Sequence, residues 1–123
     1  MSGDKYFLDT NAVLYLLNGD ETLAEFLYGK QLYISVITEL ELLGFKNIST
    51  KEHKQIVSFL SDLVILNITD EIKEIVIELR RSSNLKLPDC IIAATSLWLR
   101  LPFVTSDKQF KTVASLDLIY YEK

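Results

Sequence analysis

Apolar residues along this chain fall into short continuous runs separated by longer stretches with helical spacing. Lys5-Tyr6-Phe7-Leu8 reads as a strand, and the apolar run Ala12 to Leu17 reads as a helix ending near Gly19. A second helix is expected from Asp20 to Tyr28, stopped by Gly29. Leu32-Tyr33-Ile34 is a strand, and Thr38 to Phe45 continues as a helix. Ser49-x-x-Glu52 has the form of a capping box, in which each side chain satisfies the other residue's backbone amide. The helix it opens carries Ile56, Phe59, Leu60 and Leu63 at i, i+3, i+4 and i+7. Val64-Ile65-Leu66 is the next strand. Thr69-Asp70-Glu71 then opens a helix with Ile72, Ile75, Val76 and Leu79 on one face, ending around Asn84. Pro88 suits a first helical turn, where no amide donor is needed. The helix it starts is apolar on most sides and is expected to be buried. Phe103-Val104-Thr105 and Leu118-Ile119-Tyr120 are the last strands, with a short helix near Lys108 to Val113 between them. Strands joined through helices imply a three-layer α/β/α domain around a mainly parallel sheet of about five strands.

At 123 residues the chain fits a single domain spanning 1–123. Its 49% apolar composition excludes disorder and supplies a core. No apolar run approaches the roughly 20 residues of a membrane helix, and Met1-Ser2-Gly3-Asp4 lacks a basic segment leading into an apolar one, so the expected location is the cytoplasm. The lone Cys90 excludes an internal disulfide and a cysteine-based zinc site. A net charge of −4 argues against a broad basic surface for nucleic acid. Local clusters remain at Lys46, Lys51 and Lys54, at Arg80, Arg81 and Lys86, and at Lys108 and Lys111; each serves equally well as a solvated surface.

Topology gives the acids their interest. Strand-to-helix junctions of a parallel sheet gather at the carboxyl ends of the strands, where open α/β folds bind ligands. Asp9 closes the first strand, Glu41 lies in the helix after the second, Asp89 opens the buried helix and Asp107 follows Phe103-Val104-Thr105. Singly, each has a structural explanation. Asp9 and Asp107 are good helix N-caps, Thr38-x-x-Glu41 fits a capping box, and Asp89 complements a helix dipole. Asp70 also follows a strand and is read as structural beside its cap Thr69. Glu39 and Glu41 stand about 200° apart on a helix, so only one can face a cleft. Carboxylates converging on one cleft repel one another unless a cation neutralises them, and oxygen-only sets suit Mg²⁺ or Mn²⁺.

Four segments together resemble PIN domains, especially the compact VapC-type toxins of toxin–antitoxin pairs. They are Phe7-Leu8-Asp9-Thr10-Asn11, Ile34-Ser35-Val36-Ile37-Thr38-Glu39-Leu40-Glu41-Leu42-Leu43-Gly44, Leu87-Pro88-Asp89-Cys90-Ile91-Ile92-Ala93-Ala94-Thr95 and Phe103-Val104-Thr105-Ser106-Asp107-Lys108-Gln109-Phe110. They occur in the family's order, across almost the whole chain. The resemblance implies a Rossmann-like PIN fold and an Mg²⁺- or Mn²⁺-dependent endoribonuclease that forms a homodimer and is neutralised by an antitoxin protein. It matches Glu41 rather than Glu39 to the family's acid, and makes Asp9, Glu41, Asp89 and Asp107 the catalytic and metal-binding set. Thr10, Asn11, Thr105 and Ser106 would orient carboxylates or waters from behind, or serve only as turn-formers. Gln109 departs from the pattern, since many relatives carry a further acid there, and this bears on a second metal ion.

Other residues narrow the field. His53, the only histidine, lies on a polar stretch and excludes a paired-histidine nuclease within one chain. Tyr15, Tyr28, Phe45 and Trp98 can stack bases or bury a partner helix, with core or dimer packing the plainer use. A phospho-acceptor receiver would want an acidic pair after the first strand, and an Asp-nucleophile hydrolase a second Asp at position 11, where Asn11 stands. A PIN ribonuclease of ordinary RNA processing and a non-cutting PIN-like scaffold for RNA or protein are the nearer alternatives.

Overall fold

The computed structural model describes residues 4–122. Successive residues on a strand point to opposite faces, and here neighbouring residues belong to different cores. On β1 (Lys5–Leu8) Phe7 joins one buried cluster and Leu8 the other; on β4 (Phe103–Thr105) Phe103 and Val104 divide the same way. Both faces of the sheet are therefore covered. One layer contains α1 (Thr10–Leu17), α2 (Glu21–Leu27) and α4 (Thr50–Leu60), which contribute Val13, Leu23, Ile56 and Leu60. The other contains α5 (Asp70–Ser82) and α6 (Leu87–Leu99), with Ile72, Val76, Cys90 and Ile92. Phe110, from the 3-10 helix Lys108–Thr112, closes that core by an edge contact with Phe103. The helix expected to be buried is so from Cys90 to Ser96.

With β2 (Gln31–Ser35), β3 (Val64–Leu66) and β5 (Leu118–Tyr120), the strands form one sheet in the order β3-β2-β1-β4-β5, every pair parallel. The chain builds outward from β1 through β2 and β3, then returns to place β4 on its other side. The boundary between β1 and β4 is the switch point, and a crevice opens at the strands' carboxyl ends there.

Element boundaries differ from expectation at one place that matters. The third helix, α3 (Val36–Leu43), starts at Val36 and not at Thr38. Ser35 is its cap, its hydroxyl accepting the Ile37 N–H at 3.0 Å. Val36 and Ile37 are β-branched and extend the apolar pattern of β2, so the helix start is hidden in the sequence. Consequently the Thr38–Glu41 capping box does not form; Thr38 lies inside the helix, fully buried. The Ser49–Glu52 box forms as expected, with bonds of 2.9 and 3.0 Å. Asp70 is also as expected, an exposed first-turn acid paired with Lys73 at 3.4 Å. At the far end of α3, the Gly44 N–H bonds the Leu40 carbonyl at 2.9 Å, and a Cβ on Gly44 would lie 2.7 Å from that oxygen.

Candidate active site

The end of β1 delivers Asp9 into the crevice as the N-cap of α1. Its Oδ1 accepts the Ala12 N–H at 2.8 Å, and its Oδ2 accepts the Thr105 hydroxyl at the end of β4. Capping thus accounts for one oxygen only, and the side chain is 3% exposed, unlike an ordinary surface cap. Burial pushes the Asp9 carboxyl up to about 6; the bonds from Thr105 and Ala12 oppose the rise, while Asp107 and Asp89 add to it. The Thr105 oxygen also accepts the Asp107 N–H at 3.0 Å. One buried hydroxyl therefore ties the Asp107 backbone to the Asp9 carboxylate. Asp107 caps the 3-10 helix, accepting the Gln109 N–H at 2.9 Å.

Asp89 is half-buried in the first turn of α6, whose cap residue Lys86 makes no side-chain capping bond. A first-turn carboxylate ordinarily gains from the helix dipole. Here burial raises its pKa, with Asp107 and Glu41 adding and Lys86 opposing. Mutual repulsion thus connects all four acids.

Glu41 comes from α3 and is exposed, but its Oε1 is held at 2.5 Å by the Thr10 hydroxyl. The same Thr10 oxygen lies 3.0 Å from the Thr38 hydroxyl. A hydroxyl has one proton, and that of Thr10 is committed to Glu41, so Thr38 donates to Thr10. The relay Thr38 to Thr10 to Glu41 starts from a fully buried side chain, which anchors an exposed acid.

Asp9, Glu41, Asp89 and Asp107 line one cleft of about 380 Å³, together with Thr10 and Asn11. Leu14, Phe45, Ile92 and Phe110 supply its apolar walls. Glu39 is not among the lining residues, so the fold selects Glu41 of the two glutamates. Thr105 sits behind Asp9, out of the lining. Ser106 does not face the cleft; its hydroxyl pairs with the Tyr15 hydroxyl at 3.1 Å, which fastens the Thr105–Asp107 turn to α1. Thr38 and Tyr15 are the supporting residues that sequence reasoning missed. Thr38 has a visible signal, its spacing of three from Glu41, but capping explains that spacing equally well. Tyr15 has none. A larger hollow of about 870 Å³ between α1 and α4 contains none of these four acids.

The donor set fits a hard divalent cation: all candidate ligand atoms are oxygens, and a cation would offset the burial and the added repulsion that raise Asp9 and Asp89. Each oxygen of Asp9 also retains a lone pair beyond its present hydrogen bond. Among the described residues, no three acidic, histidine or cysteine side chains are already gathered into a ligand cage. The exposed Glu41 and half-buried Asp89 and Asp107 would have to turn inward around Asp9.

Residues 6–116 match the PIN domain family. The chain belongs to that family. PIN domains are generally nucleases, which makes this fold a hydrolase scaffold for nucleic acid. A toxin–antitoxin complex from Klebsiella pneumoniae contains a chain 31% identical with a TM-score of 0.81, the match covering 96% of this chain and 99% of that one. VapBC2 from Rickettsia felis, bound to a DNA fragment from its promoter, gives 23% identity and a TM-score of 0.79 over 96% and 99% of the two chains. VapBC-1 from nontypeable Haemophilus influenzae gives 23% and 0.76, over 97% and 99%. At that identity the latter two show the shared fold. No curated protein matches the chain. Among the described residues, no helix is long and apolar enough to cross a membrane.

Proposed function

We propose that this single PIN domain is a divalent-metal-dependent endoribonuclease, the VapC-type toxin of a pair whose second member is an antitoxin protein. The observation that carries the reading is the convergence of four carboxylates, from four different elements, on one cleft at the switch point, with Asp9 buried despite its charge. The similarity to a chain of a toxin–antitoxin complex supports the partner. A homodimer, cytoplasmic location and RNA as substrate complete the proposal.

Asp9 and Asp89 would hold Mg²⁺ or Mn²⁺ directly, with Glu41 next and Asp107 binding directly or through water. When bound, the ion supplies an activated water and neutralises charge growing on the phosphate, giving 5′-phosphate and 3′-hydroxyl ends. The chain's own contribution is preorganisation. Thr105 fixes the rotamer of Asp9 and the backbone of Asp107 together, and the Thr38–Thr10 relay fixes Glu41. Gln109 adds no further charge, so any second ion would rest on the same four acids.

The test is incubation of antitoxin-free protein with a mixed RNA pool, with Mg²⁺ or Mn²⁺ or with chelator, beside Asp9→Asn. Cleavage that needs the ion and disappears in the variant is expected. Cleavage surviving in chelator, or undiminished in Asp9→Asn, would remove the metal mechanism; DNA cut in preference to RNA would replace the substrate.

A further inference from the structure

One wall of the acid cleft is unused by the chemistry above. Phe45 lines the cleft yet remains 43% exposed. The other aromatic wall, Phe110, is 1% exposed and packed edge-on against Phe103, so it belongs to the core. Tyr28 is more exposed but borders a separate hollow with Glu21, Ala24 and Glu25. Tyr15 packs on Tyr121.

The placement of Phe45 follows from α3. It follows Gly44, the C-cap of α3, just past the helix end, and there lines the same cleft as Glu41. Gly44 makes this possible, because a side chain there would strike the Leu40 carbonyl at 2.7 Å and force the helix end apart. Electrostatics then says what an exposed ring is for. The chain carries −4 overall, four acids line the cleft, and Lys86 is the cation whose field reaches Asp89. Away from a bound metal, phosphates gain little here, so affinity for a polyanion needs a contact indifferent to charge. Base–aromatic stacking is such a contact.

We propose that Phe45 is a nucleobase subsite of the acid cleft, stacking an unpaired base of single-stranded RNA next to the scissile linkage. This rests on the nuclease reading of the same cleft. Stacking requires a base free of its own helix, so the subsite selects single strands and loops over duplex. Every base offers a π face, so it adds little sequence preference.

The experiment uses a single-stranded RNA that the wild-type protein cuts, and versions with an abasic ribose at each nucleotide flanking the cut. Phe45→Ala, Phe45→Leu and Phe45→Trp are compared with wild type for KM and kcat. Stacking of this kind corresponds to roughly 5- to 150-fold in affinity. The expected result is a KM raised within that range for Phe45→Ala and Phe45→Leu, near-normal for Phe45→Trp, with kcat changed less. One flanking abasic position should raise the wild-type KM similarly and do nothing further in Phe45→Ala. Phe45→Leu keeps an apolar side chain without the π face, so wild-type behaviour from it would overturn the proposal. An unchanged KM in Phe45→Ala with altered self-association would also overturn it, assigning the ring to a protein interface. In both cases the wild type still cuts RNA and the nuclease reading stands; a wild type that cuts nothing sinks both.

Discussion

Asp9 shows how one side chain can be both a helix cap and a functional candidate. Its folded pKa of about 6 lies above the ordinary 3.8, so the fold disfavours its charge. The sign follows directly: stability is unaffected below pH ~4, where both states are protonated, and falls as pH rises from there to about 6. Above that the full penalty applies, on the order of 3 kcal/mol from the size of the shift. Asn caps helices as well as Asp does. Metal-free Asp9→Asn should therefore melt at or above the wild-type temperature at pH 8, with the advantage vanishing near pH 4. A variant that melts well below wild type at pH 8 would show that the charge is better solvated than its burial implies. Metal affinity should also weaken as pH drops through about 6, since the ion must displace a proton from Asp9. Thr38 offers a second test at this scale. Thr38→Val keeps the volume and removes the donor that orients Thr10, loosening the hydroxyl that holds Glu41; roughly 10- to 100-fold loss of metal affinity or activity is expected. Thr38→Ser should restore most of it, whereas a purely structural role would leave metal affinity untouched.

Elements position these residues by their ends, and the ends were unequally legible. Ser49-x-x-Glu52 was readable because both halves of the box are local and reciprocal. Ser49→Ala should cost about 1 kcal/mol in a denaturant melt and leave cleavage unchanged, since α4 contributes nothing to the acid cleft. A loss of activity beyond that expected from stability would mean that α4 communicates with the site. The start of α3 was obscured because Val36 and Ile37 suit a strand as well as a helix in an apolar context. That two-residue difference moved Thr38 from cap to buried donor. Periodicity set the element types; hydrogen bonding set their limits.

Across the whole molecule, the sheet order brings residues nearly a hundred positions apart into contact. Thr105 and Asp9 meet because β4 pairs with β1 at the switch point. A divalent ion binding this assembled cleft stabilises the folded state by mass action, about 2.7 kcal/mol at a hundredfold excess over Kd. Mn²⁺ titration should raise the melting temperature of the wild type by several degrees and that of Asp9→Asn or Asp89→Asn much less. Equal rises in all three proteins would place the ion elsewhere.

By itself the sequence determined the strand and helix types, the parallel α/β architecture and the four acids worth testing, because local period and the order of motifs are properties of the chain alone. It could not separate cap from ligand, since both uses put Asp at a strand-to-helix turn. Only the tertiary structure decided the order of the strands, the burial of Asp9, the support from Thr38 and Tyr15, and the position of Phe45 on the cleft wall. Those depend on which distant segments share a low-dielectric neighbourhood. Burial and like-charge repulsion are sums over that neighbourhood and have no local signature.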